Sequence, residues 1–538
     1  MTHVPYVTLE SVSYQLPDGS PLFSDLDLHL DQRPTGLIGR NGVGKSILAR
    51  LIAGDILPAS GRCLRNGSVY YLAQQVSLES ERTLADLAGV QPILCALERI
   101  GQGSTAQADF DCVGEQWNIR QQLLDQLQQN GLAHLNPSTP ASALSGGEAM
   151  RVALMGAFLS EADFLILDEP SNHLDRQHRQ ALYQQLQRWP GGLLVISHDR
   201  ELLECMERIV ELSSLGLTSY GGNFSFYAQA KDQQQQSALQ RLESAKVERK
   251  REEHALREQR ERLERRQARG KQQASGSNQA KILLDRQKER SQTSSGKLRL
   301  QQNAAHQALS AKVHLAASQV EDQQSIFVYP PVRSQNVPLQ IAELIDARLP
   351  RGAEPLQLVN LTLSRGQRVA LVGPNGCGKS TLLKVLAGQL PIISGQAHTF
   401  VTAAYLDQHL TLLEPGLSVL EQLRALNQEL NDSELRTRLA QLGLDANQVN
   451  QTCAQLSGGE RVKAAMACVL YAQQPAQLLL LDEPANHLDL PSIRALESML
   501  QQYRGTLIVA SHDEAFVDAI GITHRLEAST SGWLNISV

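Results

Sequence analysis

With 538 residues, 42% of them hydrophobic and 20% charged, the chain has material for two or three domains with buried cores. No apolar run reaches the 18 or so residues of a membrane span, and Met1-Thr2-His3-Val4-Pro5 does not open a signal peptide, so stable membrane insertion is not expected. Seven cysteines scattered without CxxC spacing argue for a reducing cytoplasm and against a disulfide frame or zinc site, and the net charge of −6 becomes informative only when divided along the chain.

Residues 1–230 form the first unit. Its centre is Gly39-Arg40-Asn41-Gly42-Val43-Gly44-Lys45-Ser46, which fits G-x-x-x-x-G-K-[ST]. The apolar run Gly36-Leu37-Ile38 before it reads as a buried strand, and Ile47 to Ala53, stopped by Gly54, reads as a helix. Glycines in such a loop let successive backbone N–H groups turn inward around phosphate oxygens, and the helix that follows adds its positive end. Lys45 can reach the outer phosphates and the Ser46 hydroxyl can ligate Mg²⁺. A plain glycine-rich turn has no use for the Lys-Ser pair. Further on, Phe164-Leu165-Ile166-Leu167 ends in Asp168-Glu169, and Leu193-Leu194-Val195-Ile196 ends in Ser197-His198. Short apolar runs alternating with helical stretches predict an α/β fold with a mostly parallel, doubly wound sheet, whose ligand chemistry sits at the C-terminal strand ends.

Residues 231–325 differ in composition. From Lys231 to Val320 there are 20 Lys+Arg and 10 Asp+Glu, a net of +10 that leaves −16 for the rest. Gln240 to Arg269 reads as a long exposed helix, Gly270 to Asn278 as a break, and Gln279 to Ala311 as a second helix, giving an antiparallel α-helical hairpin. A solvated spacer is the bland alternative; the local charge on an acidic protein favours an anionic partner.

Residues 326–538 repeat the first unit. The second loop is Gly373-Pro374-Asn375-Gly376-Cys377-Gly378-Lys379-Ser380, after Val369 to Val372 and before a helical run from Thr381 to Ala387. Lys379, Ser380 and Thr381 extend the phosphate-binding set. Leu478 to Leu481 leads into Asp482-Glu483, and Leu507-Ile508-Val509 into Ser511-His512. The offsets between copies imply about 20 extra residues in the first, between Gln74 and Ser145, with Gly101 to Thr105 as a surface part of them. Asp168 and Asp482 are placed to hold Mg²⁺ directly or through water. Glu169 and Glu483 are candidates to polarise an attacking water as general bases. His198 and His512 are candidates to contact the terminal phosphate or that water, and Gln74 and Gln408 to sense the metal or the water.

Leu144-Ser145-Gly146-Gly147-Glu148 and Leu456-Ser457-Gly458-Gly459-Glu460 complete the pattern. With Asp-Glu-Pro after an apolar strand and the late Ser-His-Asp, the chain resembles the ATP-binding-cassette ATPases. The strings from Asp168 to Asp175 and from Asp482 to Asp489, and Tyr220-Gly221-Gly222-Asn223-Phe224-Ser225-Phe226-Tyr227, resemble the ABC-F branch. That resemblance implies two cassettes paired head to tail within a monomer, ATP and Mg²⁺ as cofactors, hydrolysis of ATP, and action on the ribosome as a translation factor. One site would set the loop at 39–46 against Ser457-Gly458-Gly459, the other the loop at 373–380 against Ser145-Gly146-Gly147. Tyr14 matches the aromatic that stacks on adenine, and Ala347 is read as its second-copy counterpart. Ile47 and Ala485 replace threonines usual in the family, and Ala149 stands where Gln, Lys or Arg is commoner. Two rival readings stay open: the ATPase subunit of a transporter with a separate membrane partner, and a DNA- or RNA-associated ATPase, since a basic hairpin can follow any phosphate backbone.

Overall fold

Runs of Leu, Ile and Val too hydrophobic to face water on either side set the architecture. The computed structural model describes residues 6–79, 81–274, 307, 309–313, 338–352, 354–529 and 531–537. In the first cassette these comprise β1 (Tyr6–Gln15), β2 (Pro21–Leu30), β3 (Thr35–Gly39), β4 (Ser60–Asn66), β5 (Val69–Leu72), β6 (Phe164–Asp168), β7 (Gly192–Ile196), β8 (Arg208–Ser213) and β9 (Gly216–Tyr220). The second cassette repeats them as β10 (Gln340–Arg348), β11 (Leu358–Ser364), β12 (Arg368–Val372), β13 (Ser394–Thr399), β14 (Ala403–Leu406), β15 (Leu478–Asp482), β16 (Thr506–Ala510), β17 (His524–Ser529) and β18 (Gly532–Ser537).

Each cassette holds a three-stranded antiparallel sheet, ordered β2-β1-β4 or β11-β10-β13, and a six-stranded sheet, ordered β5-β6-β7-β3-β8-β9 or β14-β15-β16-β12-β17-β18. The larger sheets are parallel except for the last strand, which pairs antiparallel with its neighbour. Their central strands are buried on both faces, and the period of two sorts the side chains between two cores. Leu479 and Leu481 of β15 join Leu507 and Val509 of β16 under the helices Gly458–Tyr471 and Leu490–Gln502. Leu478, Leu480, Ile508 and Ala510 face the other way, onto the helix Lys379–Leu386 and the antiparallel sheet. Because every parallel strand points the same way, Asp168, Glu169, His198 and their second-copy equivalents emerge at one edge.

The extra residues of the first cassette fall between Thr83 and Pro140, bridged to each other as Ser418 and Thr452 are in the second. They add helical structure rather than loop alone: Gln91–Gly101, Gln107–Val113 and Ile119–Gln129 occupy the interval. The turn at Gly101 to Thr105 is held from both sides by Asp109, which accepts from Arg99 Nη2 at 2.6 Å and Ser104 Oγ at 2.7 Å.

The second compact unit runs from Phe226 to Gln323. Here the expected break at Gly270 does not occur. One helix of 51 residues runs from Phe224 to Ala274, starting well before Gln240 and passing through Gly270. A lone helical glycine costs only about 1 kcal/mol, and strong helix formers on both sides absorb it. The rest of the expected break, from Ser275 onward, and most of the expected second helix lie outside the described residues; residues 309–313 are helical. The Lys312 ammonium meets Glu248 at 2.5 Å, which brings the returning chain back beside the first helix.

Helix packing under the first signature gives a direct test of this fold. A methyl group on Gly156, in the helix Gly146–Leu159, would lie 2.2 Å from the Ala88 carbonyl oxygen, whereas one on Gly101 would meet nothing within 4 Å. Gly156→Ala should therefore destabilise the protein by about 1–3 kcal/mol, the scale of core overpacking. Gly101→Ala should be neutral or slightly stabilising. Denaturant titration of both variants against the parent checks the contrast.

Candidate functional site

Both phosphate loops join a strand to a helix through a glycine in the left-handed region, Gly44 at φ 102° and Gly378 at φ 105°, a conformation costly for any residue with a Cβ. Val43 and Cys377 pack inward, so both contribute backbone rather than side chain to the cradle. The buried Lys45 donates to the carbonyls of Gly39 at 2.7 Å and Arg40 at 3.1 Å. Lys379 does the same with Gly373 at 2.7 Å and Pro374 at 3.1 Å. Each ammonium is thus folded over an open cradle, where triphosphate oxygens could replace the carbonyls. Burial lowers the Lys45 pKa, opposed by Glu169, Asp489 and Asp168.

The strand-end carboxylates converge on these loops. Ser46 is hydrogen-bonded to Asp168, so a hydroxyl and a carboxylate lie side by side as hard oxygen ligands suited to Mg²⁺. Tyr71 and Tyr405, one strand over, donate to Asp168 at 3.4 Å and Asp482 at 2.8 Å. Glu169 and Glu483 sit in left-handed backbone, φ 50° and 49°, held by backbone N–H bonds to Ile196 and Ala510 across the sheet, each 2.8 Å. Strain repeated at the same residue of both copies marks a position fixed by more than local preference. Burial pushes the Glu169 carboxyl up to about 8 and that of Glu483 up to about 7, with Lys45 and Lys379 pulling the other way. His198 Nε2 lies 3.7 Å from Glu169, and His512 Nε2 3.4 Å from Glu483. Burial, aided by the neighbouring lysine, lowers both imidazoles to about 3, so they are neutral. Both ring nitrogens of His198 and Oε1 of Glu483 are buried and make no hydrogen bond among the described residues. Such orphaned groups suit a site whose partners are ligand and water, and the donor set fits a nucleoside triphosphate with Mg²⁺.

Neither cradle is completed by its own cassette. The Asn41 backbone N–H donates to Asp489 at 2.9 Å and its amide to the His487 carbonyl at 2.8 Å. Reciprocally, the Asn375 amide donates to the His173 carbonyl at 2.9 Å, and its backbone N–H bonds Asp175. The signatures come along: methyl groups built on Gly458 and Gly147 would lie 3.9 Å and 3.8 Å from the amides of Asn41 and Asn375. Ser145 and Ser457 cap the helices that begin at Gly146 and Gly458, in capping boxes with Glu148 and Glu460. Gly147 and Gly459 lie one residue inside those helices. Gln74 lines the first cleft together with His487, whose ring nitrogen is 3.0 Å from the Gln408 amide. The rings of His173 and His487 meet with centroids 5.7 Å apart.

The adenine-side pairing needs correction. Ser11 and Asp346 share the same left-handed kink, φ 48° and 45°, and Ser13 pairs with Ser60 as Arg348 pairs with Ser394. Ala347 therefore matches Val12, both 0% exposed, and Tyr14 matches Leu349. Sequence offsets alone misplace this by two residues because the strands carry no motif. Tyr14 is half-buried at the end of β1, its ring 6.2 Å from that of Phe23.

Sequence reasoning also passed over several residues. Asp175 and Asp489 stand at the same place in both repeats, and Ser-x-x-Glu in each signature is a capping-box pattern, so both signals were available. Arg179, Arg200 and Glu497 show only as differences between the repeats, which have no meaning until the opposite cassette is in place. Arg200 donates to Glu497 at 2.8 Å and Arg176 pairs with Glu514 at 3.0 Å, both across the cassette boundary.

The profile of the ABC transporter family matches residues 24–172 and 356–486. The probable ATP-binding protein YheS of Haemophilus influenzae is 30% identical over 508 residues, 90% of this chain and 73% of that protein. The ribosome protection protein VmlR of Bacillus subtilis is 28% identical over 521 residues, covering 95% and 85%. The archaeal ribosome recycling factor aABCE1, solved with the ribosomal stalk protein aP1, shares the fold at TM-score 0.58 and 17% identity, covering 98% of this chain and 90% of that one. No helix among the described residues is long and apolar enough to cross a membrane. Two cassettes in one chain, each with its loop, signature and strand-end carboxylates, together with these relatives, show that the protein belongs to the ATP-binding-cassette family and is of its ABC-F type.

Proposed function

We propose that the protein binds two ATP molecules with Mg²⁺ between its cassettes, hydrolyses them, and uses closure and release of the cassettes to engage the ribosome. The observation that carries this reading is the reciprocal contact of each phosphate loop with the Asn-His-Leu-Asp segment of the other cassette. Bound ATP supplies the phosphoanhydride and Mg²⁺ the charge that makes its cleavage feasible at neutral pH. Lys45 and Lys379 orient the outer phosphates, and Ser46, Asp168, Ser380 and Asp482 hold the metal. Glu169 and Glu483 accept a proton from the attacking water, positioned with Gln74 or Gln408 and neutral His198 or His512. Ser145 with Gly146 and Gly147, and Ser457 with Gly458 and Gly459, lend helix N-termini to the opposite site. Tyr14 takes the first adenine. The charged unit is proposed to reach ribosomal RNA: Arg262 and Arg265 are 78% exposed and only loosely tied to Glu258 and Glu261. The relationship to a ribosome protection protein supports that partner.

Replacing Glu169 and Glu483 together by Gln should retain ATP binding and slow hydrolysis by about 10²-fold or more. The same variant tests the buried carboxyls another way. Their folded pKa values lie above the unfolded value of 4.5, so stability is lost as pH rises from there towards 7 or 8. The nucleotide-free Gln variant should thus melt higher than the parent at pH 7.5, by the equivalent of about 2 kcal/mol or more, with the gap closing near pH 4. An unchanged hydrolysis rate would reject the base assignment.

Reversing charge at Arg262, Arg265, Arg266 and Arg269 should weaken sedimentation with ribosomes in ATP and leave ribosome-free hydrolysis near the parent rate. Binding by the parent should also fall steeply with salt. Ribosome pelleting that survives the reversal would point to a spacer, and loss of duplex DNA binding in its place to a DNA-associated ATPase.

A further inference from the structure

The two nucleotide sites differ where the base must lie. In the second cleft Asp482 and Glu483 come from the parallel sheet, while Arg351 and Gly352 come from the loop between β10 and β11 of the antiparallel sheet. That loop rests on the cradle itself. A methyl group on Gly378 would lie 3.5 Å from the Arg351 carbonyl oxygen and 3.8 Å from Leu349, and one on Gly352 3.4 Å from the Cys377 carbonyl oxygen. A triphosphate fixed at Lys379 must run towards the carboxylates, so its nucleoside leaves on the side of the antiparallel sheet.

In the first cassette that side ends in the half-buried ring of Tyr14. Its counterpart Leu349 is 0% exposed, sealed into the core, and offers no face to a base. The loop is longer here, and its described residues are pinned. Gln357 donates to the Gly352 carbonyl at 2.8 Å, the Trp533 indole N–H to the Leu356 carbonyl at 2.9 Å, and Arg348 to both Gln357 and Glu354. Arg351 is exposed and lines the cleft, with no hydrogen bond or ion pair among the described residues.

We infer that Arg351 is the adenine platform of the second site, its planar guanidinium stacking on the purine in place of the aromatic ring. Guanidinium groups stack on aromatic faces and tolerate partial hydration, so an exposed arginine on a fixed loop can do what the missing ring cannot. The inference rests on the reading of this cleft as an ATP site. It also makes the sites chemically unequal, one adenine held by a neutral ring and the other by a cation.

The full chain carrying Lys45→Ala, which confines nucleotide to the second site, is titrated with ATP and, separately, with inorganic tripolyphosphate. Arg351→Ala should weaken ATP binding roughly 3- to 30-fold and leave tripolyphosphate within about twofold, because the base and not the phosphate loses its partner. Arg351→Tyr, which keeps a flat face without charge, should recover most of the ATP affinity. Unchanged ATP binding, equal losses with the two ligands, or no recovery with tyrosine would each overturn the inference while leaving the ATP site standing. A Lys45→Ala protein that binds no ATP would instead retire the site and the platform together.

Discussion

The structure depends on hydrogen bonds that neither cassette can make alone. Asn41 and Asn375 present a backbone N–H and an amide at the mouth of each phosphate loop, and the acceptors that satisfy them belong to the other cassette. When the cassettes meet, these bonds replace bonds to water, a net gain of about 0.5–1.5 kcal/mol for each, made at both loops at once. The same surface carries its own cost, because Glu169 is buried beside Asp168 and Glu483 half-buried beside Asp482. Raised carboxyl pKa values, strained backbone and orphaned histidine nitrogens all lie on this one surface. A ligand bringing a metal and hydrogen-bonding oxygens would offset that cost and tie occupancy to closure.

Charge decides which cassette pairs with which. At equivalent positions of the repeat stand Arg200 and Glu514, Tyr183 and Glu497, and Arg176 and Leu490. In the observed pairing Arg200 meets Glu497 and Arg176 meets Glu514. Two second cassettes set face to face would bring Glu514 against Glu497, like charges in a nearly dry contact, and two first cassettes would leave Arg200 opposite a tyrosine. Disfavouring the wrong pairing is as much a part of specificity as favouring the right one.

The parts of the molecule readable from sequence are those that obey local rules. A glycine-lysine-serine loop after an apolar strand, carboxylates at strand ends and a second copy of each point to the fold type and to the edge where loops and carboxylates converge. What escaped was non-local or cooperative. Whether Gly270 breaks a helix depends on the formers around it, and here their propensity outweighs one glycine. The match between Tyr14 and Leu349 hangs on a bulge at Ser11 and Asp346 that no residue type announces. Arg179 is buried beside Asp199 at 3.5 Å where the second copy has Ile493, a substitution that repeat comparison reveals but cannot interpret without the partner surface.

The uninterrupted helix from Phe224 to Ala274 has a mechanical meaning. At 1.5 Å per residue, 51 residues extend about 76 Å. Its residues from Phe226 onward belong to the second compact unit. A rigid rod of that length converts a tilt of roughly 5° at its root into about 7 Å of travel at its far end. A break at Gly270 would have made the last turns a swivel. Without one, the described helix carries a tilt at either end along its whole length.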